Sequence, residues 1–208
     1  MARNRDPFTQ ALSSLRERIQ SGELTAGAAV IVMDEAARLG LSTTPVREAL
    51  ARLSGEGLVE RAPSGGYVTV RLDATAARDR YAMNAHFIRI ALEANASSLG
   101  GLRPPAPREN APPDLAAHRL FSCVVRSAGN QVLWDAFERV SGLLVVLRQA
   151  ERVLFGDLTE ETQGLYDTYA ETAAPDFLEG VERYHQRRAG AAGALAALAL
   201  AGAEEQTA

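Results

Sequence analysis

Two short helical stripes separated by one tight, Gly-containing turn constrain this chain more than any other feature in it. The apolar stretch Val30-Ile31-Val32-Met33 leads into a helix through Ala36, Ala37 and Leu39, which Gly40 stops. Ser42, Thr43 and Thr44 then offer side-chain oxygens for a cap, and Pro45 takes the first position of the next helix. Val46, Ala49, Leu50 and Leu53 make its buried stripe, while Arg47, Glu48, Ala51 and Arg52 face outward. Gly55 and Gly57 end it.

The flanks complete a small domain. Upstream, Phe8, Ala11, Leu12, Leu15 and Ile19 fall on one helical face, with Asp6-Pro7 at the start and Gly22 just past the end. Downstream the period changes from helical to alternating. Leu58 to Arg61 and Tyr67 to Arg71 are β-prone, and Ala62 to Gly66 between them is turn chemistry, which predicts a hairpin. Residues 7–72 are therefore expected to form one unit of three helices and a hairpin.

From Asp73 onward the chain reads as helix. Residues 74–203 are expected to form an all-α bundle, so the fold class is mainly α with one small β-hairpin. Tyr81, Ala85, Ile88, Leu92 and Ala96 mark the first helix, Ala74 to Leu99. A Pro-rich break spans Gly100 to Pro113, and further helices are predicted over 115–127, 131–155, 158–169 and 177–200. Leu143 to Leu147 is apolar on more than one face, which points to a helix central to the bundle or at a dimer interface. Trp134 and Phe137 read as core.

Composition narrows the class. The single cysteine, Cys123, cannot close an internal disulfide and reads as a small core residue. No apolar run reaches the roughly 18 residues of a membrane helix, and the basic start has no apolar region behind it, so a cytoplasmic protein with no membrane partner is expected. All 22 basic residues are arginine. Residues 1–73 carry nine Arg against nine Asp plus Glu, so any nucleic acid would be bound by placed arginines and backbone amides, without a broad basic field. No Gly-rich phosphate loop, Gly-x-Ser-x-Gly or Cys-x-x-Cys occurs, and Glu160-Glu161 and Glu204-Glu205 point to different sides of a helix. The chain is not expected to be an enzyme.

Two helices joined by a tight turn, the second opening with hydroxyls and an Arg, suit DNA. Helix N-terminal amides and small hydroxyls bond phosphate oxygens and set register. An Arg one turn in can reach a guanine edge with two parallel hydrogen bonds. Residues 11–73 resemble the winged helix-turn-helix of the GntR family of bacterial transcriptional regulators. The resemblance lies in Leu15 to Leu24, in Ala36 to Leu50 with its Thr44-Pro45-Val46-Arg47-Glu48-Ala49-Leu50 core, in Ala51 to Val59, and in Gly65-Gly66-Tyr67-Val68. It implies DNA contacts from Ser42, Thr43, Thr44 and Arg47, with Gly65 and Gly66 at the wing. Two positions depart from it: the family usually has Arg where Thr43 stands, and some members have Arg where Met33 falls.

The helical half resembles the effector domain of the FadR-like subfamily through Phe87 to Glu93 and Val124 to Leu133. That implies a repressor bound to a double-stranded DNA operator, whose helical domain dimerises and senses a small organic acid. A homodimer is also expected because one small neutral winged helix contacts only a half-site and two-fold pairing supplies the other. Arg89 either anchors such a carboxylate or pairs with Glu93 one turn on. The subfamily often holds a metal through one Asp and three His. Counting back from Gly129-Asn130 puts an Asp-x-x-x-His pair on Ala117 and Phe121, and a later His near Ala192, so no metal cofactor is expected. A second registration would use Asp114, His118 and His185, while His86 and His185 otherwise read as half-buried or surface residues. Two alternatives to the sensor stand: an effector-independent DNA-binding dimer, and a helical metal-binding protein or enzyme.

Overall fold

A computed structural model describes residues 6–63, 65–98, 105–107, 111–171 and 174–205. The chain divides into two compact units, Met1–Leu72 with Ala197–Ala208, and Asp73–Ala196. It is mainly helical, with one small sheet.

The first unit begins with α1 (Pro7–Ser21). The Asp6 carboxylate accepts from the Thr9 amide at 3.3 Å, and Pro7 occupies a position whose N–H would have no helical partner anyway. Then come β1 (Ala29–Val30), α2 (Val32–Leu39), α3 (Thr43–Gly55), β2 (Val59–Arg61) and β3 (Tyr67–Thr69). Helix α1 packs on α3, burying Ala11, Leu15 and Ile19 against Val46, Ala49, Leu50 and Leu53. Each buried Leu, Ile or Val side chain contributes about 1.5–3 kcal/mol relative to exposure. The buried Glu35 ties α1 to α2, since it accepts from Arg18 and pairs with Arg38 Nη2 at 2.9 Å.

Three details differ from the sequence reading. The hairpin is part of a three-stranded antiparallel sheet in the order β1-β3-β2, with Val30 opposite Tyr67 and Arg61 opposite Tyr67 on the other side. Val30 therefore serves a strand edge and only Val32 starts the helix, as β-branched residues prefer. The strands are also shorter than expected, with Leu58, Val70 and Arg71 outside them. Pro45 is the third residue of α3, which the helix tolerates because the first turn has no internal partners for its amides.

The β1 end is held by Thr69, which is fully buried. Its hydroxyl accepts from the Ala28 amide at 2.9 Å and donates to the Thr25 carbonyl. Gly27 (φ 81) closes this turn, and a Cβ there would lie 1.9 Å from Arg71 Nε. The Arg71 guanidinium thus rests on bare backbone that only glycine provides.

The second unit contains α4 (Ala74–Ser98), α5 (Pro113–Ser127), α6 (Gln131–Leu144), a 3-10 turn (Val145–Leu147), α7 (Arg148–Leu154), α8 (Leu158–Glu171), α9 (Ala174–Gly190) and the start of α10 (Ala192–Glu205). Two long predicted helices are each divided. Residues 131–155 break at the consecutive β-branched pair Val145-Val146, and 177–200 break at Gly190. Most of the Pro-rich stretch 100–113 lies outside the described residues.

Helix α4, rather than α6, is the one packed against α5, α6 and α9. The core joins Phe87, Ile88 and Leu92 to Leu120, Phe121, Val124, Phe137, Leu165, Tyr166, Phe177 and Val181. Phe137 is fully buried, but Trp134 is only partly so, with the Arg126 guanidinium 4.4 Å over its ring. Cys123 is half-buried rather than core, its thiol 3.6 Å from the Pro105 carbonyl. No helix of the described residues is long and apolar enough to cross a membrane.

Candidate nucleic-acid interface and a buried polar cavity

The amino end of α3 is left open. Ser42 is the N-cap residue with extended backbone (φ −71, ψ 165), yet its side chain makes no capping bond, contrary to the cap expected from Ser42, Thr43 and Thr44. Ser42 and Thr44 are exposed and Thr43 half-buried, and none of the three hydroxyls has a partner among the described residues. Unsatisfied amides, free hydroxyls and the positive end of the helix dipole converge there, which is an arrangement that accepts a phosphate oxygen. One turn on, Arg47 is exposed and unpaired among the described residues, opposite the buried stripe.

At the wing, Gly65 (φ 89) and Gly66 (φ 84) are exposed, with nothing within 4 Å of where a Cβ would stand. The turn is closed by Gly65 N to Ala62 O at 2.9 Å, and Ser64 lies outside the described residues. Arg61, missed in the sequence reading, is exposed at the wing with its guanidinium 5.8 Å from the Tyr67 ring centre. Counting cross-strand partners back from the turn would have found it.

The neutral charge balance of this unit now has a physical account. Arg16 and Arg52 pair with Glu56 at 2.6 and 2.9 Å, and Arg18 and Arg38 pair with Glu35. Arg47, Arg61 and Arg71 have no carboxylate partner among the described residues, so they keep their charge for something else. Met33, where some relatives have Arg, is 67% exposed.

The helical unit encloses its polar groups. Arg188 is fully buried. Its Nε donates to Glu151 at 2.8 Å, its Nη2 to Glu161 at 2.9 Å, and its guanidinium stands 3.3 Å from the Tyr184 ring centre. Burial alone would push this guanidinium down, but Tyr184, Glu151 and Glu161 together more than offset it, so its pKa is raised. Tyr81 donates to the other Glu151 oxygen at 2.7 Å, and burial followed by Glu151 pushes its phenol well up.

This network forms one wall of a cavity of about 30 Å³, to which α4, α5, α6, α7 and α9 all contribute. Asp114, His118 and His185 line it together with Phe121, so the structure brings the residues of the second registration to one cavity, while Ala117 lies in the core. His185 is buried, not at the surface. Its Nδ1 lies 2.7 Å from the Val181 carbonyl and its Nε2 3.3 Å from the Asn84 amide, which reaches Ser141 at 2.6 Å. Burial lowers His185 to about 4, against the Val181 hydrogen bond. Burial, then Arg148 and Arg119, lowers His118 to about 3.

As metal donors these three do not fit. Asp114 accepts from Arg152 Nε and Nη2 at 3.0 Å each, so both its oxygens are committed to a bidentate pair. Both nitrogens of His185 face protein groups, and no three His, Cys, Asp or Glu of the described residues stand close enough to hold an ion. Arg89 lies elsewhere, on a groove between α4 and α9, where it pairs with Glu182 of α9 while its Nε is buried without a partner. His86 is exposed on the same groove. The cavity's own cation is Arg148. It is half-buried and has no hydrogen bond or salt bridge among the described residues. Nothing in the spacing of α7 marks it, because the groups it faces come from other helices.

Comparison with known proteins bears on both units. Residues 8–68 match the family described as bacterial regulatory proteins, gntR family. Over 79 residues the chain is 40% identical to an HTH-type transcriptional regulator in an unstable DNA locus of Streptomyces ambofaciens, a match covering 38% of this chain and 31% of that one. The chain therefore spans about a third of that relative's length. The fold is similar to a solved GntR transcriptional-regulator structure from Rhodococcus sp. RHA1 (TM-score 0.64, 18% identity, 89% of this chain and 96% of that one). It is also similar to E. coli McbR/YncC (TM-score 0.56, 18% identity, 98% and 99%).

Proposed function

We propose, from the premise that residues 8–68 are a GntR-type DNA-binding domain, that the chain acts as a homodimeric, sequence-specific transcriptional repressor in the cytoplasm. Residues 7–72 are its operator-binding part and 74–203 its dimerisation and effector part. The observation that carries this reading is the open end of α3, where the hydroxyls of Ser42, Thr43 and Thr44 and the guanidinium of Arg47 have no partner among the described residues. Phosphate held by the hydroxyls and amides sets register, and Arg47 reads a base edge. Gly65 and Gly66 let the wing backbone approach a groove. A single unit of this size reads one half-site, and two-fold pairing supplies the other half and the affinity. In the helical unit, a cavity whose wall carries a cation, Arg148, unpaired among the described residues supports sensing of a small organic acid.

Selection of genomic fragments bound by purified protein at physiological salt, run in parallel with Arg47→Ala, tests this. A two-fold symmetric sequence recovered by the wild type and lost in the variant is the expected result. Fragments without a common sequence, or an operator preference unchanged in Arg47→Ala, would overturn it.

A further inference from the structure

A groove of about 220 Å³ runs between α4 and α9, apart from the buried polar cavity. The two helices are antiparallel, since Asn84 meets His185 and Arg89 meets Glu182. The groove exists because three of its lining positions, Ala82, Ala85 and Ala189, carry a single methyl each. It is open to solvent along one side, so its volume sets no limit on a ligand's length. The chemistry of the lining sets the class.

That lining is apolar and its charges cancel. Arg89 and Glu182 pair with each other across the two helices, so an anion finds no free cation there. The pair also closes one end of the groove, which a helix or strand laid along it would have to displace. Arg89 is held at one corner only, because its Nη2 engages Glu182 while its Nε is buried with no hydrogen-bond partner among the described residues. A guanidinium so weakly hydrated and so sparsely bonded presents a flat face on which an aromatic ring stacks. His86 is exposed beside it and can bond a polar substituent.

We infer that this groove is a binding site, separate from the polar cavity, for a small uncharged aromatic molecule, its ring laid on the alanine floor and against the face of Arg89. An apolar bed with a few polar groups at its edge is the usual make-up of a small-molecule site. The inference stands independently of the sensor reading above, which concerns the cavity.

The histidines locate the ligand. The chain has three. His86 and His185 line the groove, whereas His118 lines the cavity and not the groove. The full chain, isotope-labelled at histidine, is titrated with benzyl alcohol while the imidazole ring signals are followed by NMR. The signals of His86 and His185 should shift and that of His118 should stay. Ala82→Leu, at an exposed position, should fill the groove and abolish the shifts with Tm unchanged. Arg89→Met keeps the stem without the charged face and should weaken Kd about tenfold, which reads the site even if Ala82→Leu melts early. Cyclohexylmethanol, apolar but not aromatic, should bind about tenfold more weakly, and benzoate at least as weakly, because its charge meets Glu182. No shift, a shift at His118, binding undiminished in Arg89→Met or in a folded Ala82→Leu, or an equal response to cyclohexylmethanol or benzoate would each overturn the inference.

Discussion

Arg47 in the first unit and Arg188 in the second are the same side chain in opposite environments. Arg47 stands on the outer face of a helix, exposed and unpaired among the described residues. Arg188 is fully buried between two glutamates and a tyrosine ring, and every atom around it depends on its charge. The lesson is where each unit keeps its polar chemistry. The first unit keeps most of it outside the apolar core of α1 and α3, with the buried Glu35 and Thr69 as exceptions, whereas the helical unit builds it into the core and lines a cavity with it. Changes in the first should therefore alter binding without altering stability, and changes in the second should do the reverse.

The largest effect is expected for Arg188→Met. Removing Arg188 leaves the buried Glu151 without its cation, while Glu161 keeps only Arg187 at 3.2 Å, and should cost about 3–5 kcal/mol. A melt should fall by about 10 °C or more. A variant melting within a degree or two of the wild type would break the contrast between the units.

Acid should act on the helical unit next. His185 is neutral in the fold, with its pKa lowered to about 4 by burial, against about 6.5 in the unfolded chain. The unfolded state thus binds more protons between these values. The stability this group contributes is complete above pH 6.5 and is lost as pH falls toward 4, by about 2–4 kcal/mol in all. His118, lowered to about 3 by burial and then by Arg148 and Arg119, acts over the same range, so His185→Asn should lessen that slope in a pH series of melts without removing it. An unchanged slope would mean that the group responsible lies elsewhere.

Arg47→Ala should weaken operator binding by about 1–3 kcal/mol, with Tm within a degree of wild type. Titration of labelled operator against a scrambled sequence reads this directly. A variant that melts early would show Arg47 to be structural and blur the comparison.

The smallest effect on stability is expected for Ser42→Ala. A working N-cap serine costs about 0.5–2 kcal/mol when removed, but Ser42 makes no capping bond, so the change should stay below about 0.5 kcal/mol. Operator affinity should still fall, and the salt dependence of binding should shift if the hydroxyl meets a phosphate. A loss of stability at full cap size would show that the hydroxyl serves the helix, not the DNA.

Much of the first unit was legible because its logic is local. The buried stripe Val46, Ala49, Leu50 and Leu53 determines which side of α3 carries Arg47, and the glycines around it mark its ends. What was missed there was a cross-strand matter. Val30 joining Tyr67 spans 37 residues of sequence, and no local pattern announces it. In the helical unit the helices were legible and their breaks were not, since Val145-Val146 interrupts a helix that hydrophobic spacing alone would continue. The cavity was legible only in part. Asp114 and His118 share a helix face by their spacing, but counting from Gly129-Asn130 favoured Ala117 and Phe121, and only packing brought Asp114, His118 and Phe121 to the cavity while burying Ala117 in the core.

The sequence by itself determined the order of the helices and the outward face of α3, on which Arg47 stands. Period, caps and turn residues act within a few positions of one another, so a linear string carries them. Tertiary structure alone decided that Arg152 neutralises Asp114, that Arg188 is buried between Glu151 and Glu161, and that Arg148 is left without a partner among the described residues. Those pairings join helices up to tens of residues apart. Whether a charge is paired, free or buried is a property of what packs around it, and that is settled only when five helices close on one cavity.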